Sequence, residues 1–194
     1  MTNKPIRVGF DMDGVLLYNP FRIVRPIMAF IKKYILKRKT TKFYLPKSSA
    51  EQFIWTVIHK SSVFQADGIN DIHRLVKEGK IEAYVVTSRF SGLKKDVEYW
   101  FNKINKENTF TQCFYNDGDE QPHMYKEKMI RDLHLEYFVE DNWDIIQHVN
   151  ENLHKNHVKT KVLWIYNIID KRIPYEYKFP NLKEAVKHIE NNLK

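Results

Sequence analysis

Apolar and polar residues follow one another along the chain in blocks that predict an α/β fold. The first block, Ile6–Phe10, is a short apolar run typical of a buried strand. Further strands are predicted at residues 81–87, 109–116, 137–140 and 161–166, and helices at residues 93–105, 126–133, 144–153 and 182–193. Strands that alternate with helices indicate a Rossmann-like fold of three layers, in which a central parallel sheet has helices on both faces.

The segment after the first strand breaks this alternation and is predicted to be helical throughout. Residues 20–39 have apolar positions at helical spacing, and Ser48 and Glu51 have the spacing of a capping box at the start of a second helix. Residues 67–78 have the pattern of a third helix. We therefore predict a core domain of residues 1–19 and 80–194, and a small helical cap of residues 20–79 inserted after the first strand.

The positive charge of the chain is concentrated in this predicted cap. The formal net charge is +8, and nine of the 32 basic residues lie between Gly14 and Ala50, where no acidic residue occurs. The other 23 basic residues nearly balance the 24 acidic residues. This basic segment is either a solvated helical face or a surface for an anionic substrate, a nucleic acid or an acidic membrane.

Composition and length narrow the class of protein further. With 194 residues the chain can bury a sizeable core, and its single cysteine, Cys113, excludes an internal disulfide and a cysteine-based zinc site. Cys113 lies in an apolar stretch and is interpreted as a small buried side chain. The polar N-terminus does not have the pattern of a secretory signal, and no transmembrane segment is predicted, so the expected location is cytoplasmic.

Polar residues with catalytic potential stand at the predicted ends of three strands. The carboxyl ends of parallel strands meet at one edge of the sheet, where ligands bind in such folds. The candidate residues are Asp11, Asp13, Thr87, Ser88, Arg89, Glu140 and Asp141, with Lys126 at the start of a nearby helix. Carboxylates this close repel one another unless a cation joins them, and oxygen ligands without clustered cysteine or histidine favour Mg²⁺.

In this order, the residues resemble the four motifs of the haloacid-dehalogenase-like phosphatases. The matching stretches are residues 8–15, 85–89, 126 and 138–142, and they span most of the chain. The Asp-x-Asp-Gly sequence of Asp11 to Gly14 is a weak signal alone, but the four motifs together are specific. The resemblance implies a haloacid-dehalogenase-like fold, with the cap over the active site, and phosphatase activity through an aspartyl-phosphate intermediate.

The resemblance also implies a role for each matched residue. Asp11 is expected to be the nucleophile and a metal ligand, and Asp13 to be the general acid and base, with its backbone carbonyl on the metal. Asp141 is expected to complete the Mg²⁺ site. Thr87, Ser88 and Lys126 are expected to bind the phosphoryl group, and Arg89 and Glu140 to support these residues from behind.

Alternatives remain open at several positions. Lys128 competes with Lys126, which is favoured because its distance from Glu140 fits the family spacing. Thr87 is otherwise a helix cap, and Glu140 either binds the metal through water or holds Lys126. Asp144 caps the following helix or lies near the metal, and His123 is interpreted as a loop residue.

Within the superfamily, the second half of the chain resembles the small 5′-nucleotidases and deoxyribonucleotidases. Glu140 differs from the Asp usual in the deoxyribonucleotidases. The resemblance implies a small phosphorylated partner: a nucleoside monophosphate is favoured, followed by another small phosphoester. Other hypotheses are a nucleic-acid-end phosphatase, a non-catalytic binder of nucleic acid or anionic membrane through the basic segment, and a phosphoacceptor signalling domain; nucleic acid is the less favoured partner.

Overall fold

The computed structural model describes residues 4–18, 64–155 and 157–193 of the chain. Its strands are β1 (Ile6–Phe10), β2 (Leu17–Tyr18), β3 (Phe64–Gln65), β4 (Ile81–Phe90), β5 (Gln112–Asn116), β6 (Tyr137–Glu140), β7 (Lys161–Ile165) and β8 (Lys178–Phe179). Its α-helices are α1 (Ile69–Lys77), α2 (Lys94–Ile104), α3 (Pro122–Asp132), α4 (Trp143–Lys155) and α5 (Leu182–Asn191). Two 3₁₀-helices lie at Ser91–Leu93 and Ile168–Arg172. Among these helices, none has the length and apolarity needed to cross a bilayer.

Six strands form one parallel sheet in the order β5-β4-β1-β6-β7-β8. This confirms the predicted α/β class. The register sets Phe10, the last residue of β1, beside Val85 on one side and Val139 on the other. The strand order reverses at β1, and such a switch point opens a crevice at the carboxyl ends of the strands.

Alternation along each strand explains the three layers. Val8 and Phe10 of β1 face a core with the apolar sides of α1, α2 and α5, whereas Tyr84, Val86 and Phe138 face a second core with α3 and α4. Successive strand residues point to opposite faces, so a strand covered on both sides is apolar throughout. This is why the central strands lack an alternation of apolar and polar residues.

The sequence did not predict the antiparallel ribbon of β2 and β3, whose second strand lies within the residues assigned to the cap. Leu17 pairs with Gln65 and Tyr18 with Phe64. Tyr18 and Phe64, which precede and follow the undescribed residues 19–63, therefore lie next to each other. The helices predicted at residues 20–39 and after Ser48 lie outside the described residues.

The last predicted cap helix is present as α1. Its residues Ile72 and Leu75 are fully buried in the core that also contains Val8 and Phe10. Residues 69–77 thus pack with the central sheet, although they were assigned to the cap. The division into domains stays a prediction, because most of residues 20–79 lie outside the described part of the chain.

Three element boundaries differ from prediction by three residues or more, each for a local reason. Strand β4 continues to Phe90, so Thr87 lies inside a strand and does not cap a helix. Strand β5 begins later than predicted because the Asn105 side chain binds both the N–H and the carbonyl of Phe110, at 2.7 and 3.1 Å. Helix α3 begins earlier, at Pro122, a residue favoured in the first turn. His123 is therefore helical, and its interpretation as a loop residue was wrong.

Candidate active site

The predicted site residues converge at the carboxyl ends of three adjacent strands. Asp11 follows β1, Thr87 and Arg89 lie near the end of β4, and Glu140 ends β6. The backbone N–H of Asp11 donates to the Val139 carbonyl at 2.9 Å, which ties the first carboxylate to the neighbouring strand. Their meeting follows from the order β4-β1-β6, in which the three strands are neighbours.

A buried lysine joins two of the carboxylates. Lys126 Nζ lies 2.8 Å from Asp11 Oδ2 and also donates to Glu140 Oε2. Asp11 Oδ1 accepts a hydrogen bond from the Met12 N–H at 2.8 Å. Lys126 is 2% exposed and Glu140 is fully buried. Such a charge is held in the interior only when it is paired and hydrogen-bonded, as it is here.

Helix geometry separates Lys126 from its competitor Lys128. The early start of α3 at Pro122 puts Lys126 in the second turn, on the side that faces the sheet. Lys128 is two residues further on, and at 3.6 residues per turn it points away. It is exposed and lies 3.2 Å from Glu120 Oε1. Among the described residues, the structure thus brings Lys126, and not Lys128, to Asp11.

Glu140 organises the turn that carries Asp141. Its Oε1 accepts hydrogen bonds from the N–H groups of Asp141 and Asn142, at 3.0 and 2.9 Å, while Oε2 accepts from Lys126. The carboxylate therefore holds Lys126, one of the two roles that the sequence left open. The next helix is capped by Asn142, whose Oδ1 accepts from the Asp144 N–H at 3.0 Å. The expectation that Asp144 itself is the cap was wrong.

Asp13 is held by a guanidinium on the other side of the site. Arg89 donates from Nε to Asp13 Oδ2 at 2.8 Å and from Nη2 to Asp13 Oδ1 at 2.7 Å. Its Nη1 donates to Asp96, in the first turn of α2. The Arg89 side chain is 1% exposed. Two parallel charge-assisted bonds fix both the position and the orientation of a carboxylate.

The hydroxyl groups of the second motif lie at the same end of β4. Thr87 Oγ1 accepts a hydrogen bond from the Arg89 N–H at 3.3 Å. Ser88 Oγ is buried and has no hydrogen-bond partner within residues 4–18, 64–155 and 157–193. Both side chains are near the end of the strand that neighbours Asp11. Their contact with a phosphoryl group stays a prediction.

Gly14 allows the two acidic strand ends to approach each other. The residue has φ +80°, and a Cβ atom there would lie 2.2 Å from Asp141 Oδ2. The turn is closed by the Gly14 N–H, which donates to the Leu17 carbonyl at 2.8 Å. Glycine is therefore required at this position for both its backbone conformation and the space that Asp141 occupies.

Three acidic side chains of the site provide oxygen ligands suited to a hard cation. Asp11, Glu140 and Asp141 are buried, and one carboxylate oxygen of each lies within 4.8 Å of the others. Burial raises the pKa of Asp11 well above its ordinary value; Lys126 opposes this shift, and the charges of Glu140, Asp141 and Asp13 add to it. Burial also raises the pKa of Glu140, although Lys126 opposes the shift. A divalent cation would offset this repulsion, so the oxygen donors fit the predicted Mg²⁺.

Electrostatics also keep the two cations of the site charged. Burial disfavours the charged form of Lys126, but the carboxylates of Asp11 and Glu140 outweigh it and raise the pKa of the ammonium. Burial likewise opposes the charge of Arg89, and Asp13 and Asp96 raise the pKa of its guanidinium. Each cation is therefore stabilised by two carboxylates from different elements.

Sequence reasoning missed two residues that support the site. Asp96 anchors Arg89, and its signal was an acidic residue in the first turn of a helix that follows the second motif. Trp164 Nε1 donates to the backbone carbonyl of Asp141 at 3.2 Å. No sequence signal pointed to Trp164, because its place depends on β7 lying beside β6.

Comparison with solved structures identifies the fold. The chain aligns over its whole length with all of a HAD-superfamily hydrolase from Ehrlichia chaffeensis, with TM-score 0.52 and 16% identity. A predicted phosphoglycolate phosphatase from Haemophilus somnus aligns with 97% of this chain and 100% of its own length, at TM-score 0.54 and 13% identity. CbbY from Rhodobacter sphaeroides, solved in complex with phosphate, aligns with 92% of this chain and 95% of its own, at TM-score 0.56 and 12% identity.

These similarities define the class: the chain has the haloacid-dehalogenase-like hydrolase fold, as its motifs predicted. No protein-family model and no curated protein matches the sequence. The low identities show the fold alone. The function is therefore inferred from the residues of the site.

Proposed function

We propose that the protein is a Mg²⁺-dependent phosphomonoester hydrolase that acts through an aspartyl-phosphate on Asp11. The observation that carries the proposal is the contact of 2.8 Å between the Asp11 carboxylate and the buried Lys126 ammonium, at the end of the central strand. A carboxylate beside a fixed cation can receive a phosphoryl group whose negative charge that cation neutralises. Asp13 and Asp141 supply the remaining acid–base and metal-binding groups.

The first half-reaction transfers the phosphoryl group to the enzyme. An oxygen of Asp11 forms a bond to phosphorus while the bond from phosphorus to the ester oxygen breaks, and the electron pair stays with that oxygen. Asp13, in its protonated form, gives the leaving oxygen a proton and becomes a carboxylate. Lys126 and Thr87 bind the non-bridging oxygens during the transfer. The product is an alcohol and phosphorylated Asp11.

The second half-reaction regenerates Asp11. The Asp13 carboxylate takes a proton from a water molecule as the water oxygen forms a bond to phosphorus. The bond from phosphorus to the Asp11 oxygen breaks, and the electron pair returns to the carboxylate. Inorganic phosphate leaves, and Asp13 is again protonated for the next cycle. One residue thus acts as acid and then as base.

Asp11, Asp141 and the backbone carbonyl of Asp13 would hold the metal. When bound, Mg²⁺ supplies positive charge to the phosphoryl oxygens and reduces the repulsion between the carboxylates. Glu140 is expected to remain outside the metal shell, since it is fully buried and accepts three hydrogen bonds, from the N–H groups of Asp141 and Asn142 and from Lys126.

The substrate class that we propose is a small phosphoester, with nucleoside monophosphates favoured. The nine cations of the predicted cap follow Asp13 in sequence, beginning at Arg22. In a cap over the site, such cations would favour a substrate with extra negative charge. The resemblance of the second half to 5′-nucleotidases points to a nucleoside as the leaving group.

Phosphate release from a panel of esters tests this function. The panel contains ribo- and deoxyribonucleoside monophosphates, sugar phosphates, aryl phosphates and a 3′-phosphorylated oligonucleotide. Each compound is assayed with Mg²⁺ and with EDTA, for wild type and for Asp11→Asn. We expect metal-dependent release by wild type and its loss in Asp11→Asn, because an amide cannot form the acyl phosphate. The matched control is Asp132→Asn, an exposed carboxylate at the end of α3.

The outcomes separate the proposed function from its rivals. Release that persists in Asp11→Asn would show that another group is the nucleophile. Preference for the oligonucleotide would instead support a nucleic-acid-end phosphatase. No release from any ester, together with salt-dependent binding of nucleic acid or anionic vesicles, would overturn the enzyme proposal in favour of a binding protein.

A further inference from the structure

A chain of ion pairs, buried at Asp13 and Arg89 and partly buried at Asp96, leads away from the proposed phosphoryl site. It runs from Asp13 through Arg89 to Asp96 and joins the loop after β1, the end of β4 and the first turn of α2. The side chains of Asp13, Arg89 and Asp96 are 8%, 1% and 14% exposed. The proposed half-reactions use the carboxylate of Asp13, but they give no task to Arg89 or Asp96.

The geometry of this chain restricts how Asp13 can move. Both carboxylate oxygens of Asp13 accept from one planar guanidinium, so rotation of the carboxylate breaks two hydrogen bonds at once. Asp96 holds the third nitrogen of the same guanidinium and prevents Arg89 from following such a rotation. Lysine offers a point charge on a flexible stem and cannot reproduce this planar grip.

Orientation matters for a group that must transfer a proton. An acid or base has to lie within hydrogen-bond reach of the proton that moves, so geometry comes before acidity. A displacement of about 1 Å can lower a rate on the order of 10²-fold. A residue that fixes the acid in advance removes the need to order it during the reaction.

We propose that Arg89 is the positioning residue for Asp13 and that Asp96 anchors Arg89. This inference rests on the proposed phosphohydrolase function. The pair holds the Asp13 carboxyl group in a single orientation before the ester binds. Proton delivery to the leaving oxygen therefore depends on Arg89, whereas attack by Asp11 on phosphorus does not.

A series of aryl and alkyl phosphates separates proton delivery from the rest of the reaction. A phenol with electron-withdrawing substituents leaves readily without a proton, and an alcohol does not. The value of kcat/KM reports the steps up to transfer of the phosphoryl group to Asp11. Its dependence on the acidity of the leaving group therefore measures how well Asp13 is placed. The probes are p-nitrophenyl phosphate, phenyl phosphate and a simple alkyl phosphate.

The decisive variant is Arg89→Lys. We expect kcat/KM to fall on the order of 10²-fold for the phenyl and alkyl phosphates. The value for p-nitrophenyl phosphate should change much less, because its leaving group needs little help. Plotted against leaving-group acidity, the variant should have a steeper slope than wild type. The control is Arg74→Lys, which weakens a bidentate pair with Glu190 at 2.8 Å between α1 and α5; its slope should match wild type.

Asp96→Asn tests the anchor without removing the Arg89–Asp13 pair. We expect the slope to become steeper here too, but by less. For the alkyl phosphate, kcat/KM should fall on the order of tenfold. This variant also decides the question if Arg89→Lys does not fold, as judged by thermal unfolding. An Asp96→Asn enzyme with the wild-type slope would then overturn the proposal.

The remaining outcomes are distinct from one another. An equal fall of kcat/KM for all three esters in Arg89→Lys would overturn the positioning role, because it would show an effect on phosphoryl binding or on the fold. An unchanged slope would overturn it as well. If wild type releases no phosphate from any ester in Mg²⁺, the proposed function itself fails and the positioning role fails with it.

Discussion

Trp164 donates a hydrogen bond from its indole to the backbone carbonyl of Asp141, at 3.2 Å. The tryptophan is fully buried on β7, and Asp141 follows the neighbouring strand β6. The Trp143 ring lies 4.5 Å from the Trp164 ring, between centroids. An indole so close to a proposed metal ligand is a natural reporter of that ligand's environment.

The first prediction concerns metal binding in the absence of substrate. We expect Mg²⁺ to change the tryptophan emission of the wild-type protein in a saturable way, because binding at Asp141 alters the field and packing at Trp164. Fluorescence titration measures the change. Asp141→Asn should abolish it or shift its midpoint to much higher Mg²⁺.

Two tryptophan variants locate the source of that signal. Trp164→Phe should remove most of the emission change, whereas Trp100→Phe should retain it, because Trp100 lies on α2 in the other core. An emission change that survives in both Asp141→Asn and Trp164→Phe would place the metal elsewhere.

The second prediction concerns the turn at Gly14. Gly14→Ala puts a methyl group 2.2 Å from the original position of Asp141 Oδ2, so one of the two must move. We expect loss of Mg²⁺ binding and of phosphate release, with a loss of unfolding free energy of about 1–3 kcal/mol from backbone strain. Chemical denaturation and the phosphate assay measure these effects.

Gly79→Ala is the matched control for Gly14→Ala. Gly79 also has a positive φ of 68°, but no described atom lies within 4 Å of the added Cβ. This variant should lose about 1 kcal/mol of stability and keep its activity. If both variants kept full activity, close approach of Gly14 to Asp141 would not be needed for function.

The order of elements could be predicted from sequence because local patterns determine it. Apolar runs such as Ile6–Phe10 and the helical spacing of residues 182–193 contain their own signal. Element boundaries differed from prediction where a side chain took up backbone hydrogen bonds that a strand would otherwise use, as Asn105 does at Phe110. The two-residue strands β2, β3 and β8 were missed because two residues are too few to show an alternation.

The sequence was enough to predict which residues belong to the site, but not the contacts between them. The four motifs identified Asp11, Lys126 and Asp141 because their types and order resemble a family pattern. The bidentate grip of Arg89 on Asp13 and its anchor at Asp96 depend on how β4 and α2 meet the loop after β1. Such contacts join residues distant in sequence, and local patterns do not encode the distances between them.

The third prediction concerns the cost of the buried Asp11 carboxylate. Its pKa is raised in the folded protein, mainly by burial, from an unfolded value of about 3.9. As pH rises from that value through the folded pKa, the unfolded state loses its proton first, so the free energy of unfolding falls. In EDTA at neutral pH, Asp11→Asn should therefore be more stable than wild type. Denaturation between pH 4 and about pH 8 measures the two curves.

Added Mg²⁺ should reverse this order. A ligand at 100 times its Kd stabilises the folded state by about 2.7 kcal/mol. Only the wild-type protein has both proposed carboxylate ligands of Mg²⁺, Asp11 and Asp141. Asp132→Asn serves as the control and should follow wild type in both conditions. A wild-type protein more stable than Asp11→Asn in EDTA at neutral pH would contradict the prediction.

The fourth prediction compares two lysines of α3. Lys126→Met leaves Asp11 and Glu140 buried without their shared cation, which we expect to cost about 3–5 kcal/mol of unfolding free energy in EDTA. The variant should also lose phosphate release on the order of 10²-fold or more, because no ammonium remains beside the nucleophile. Lys128→Met removes an exposed partner of Glu120 and should change stability by less than about 0.5 kcal/mol. Similar losses of stability and activity in both variants would contradict the prediction, because they would show that the contact of Lys126 with Asp11 has no special effect.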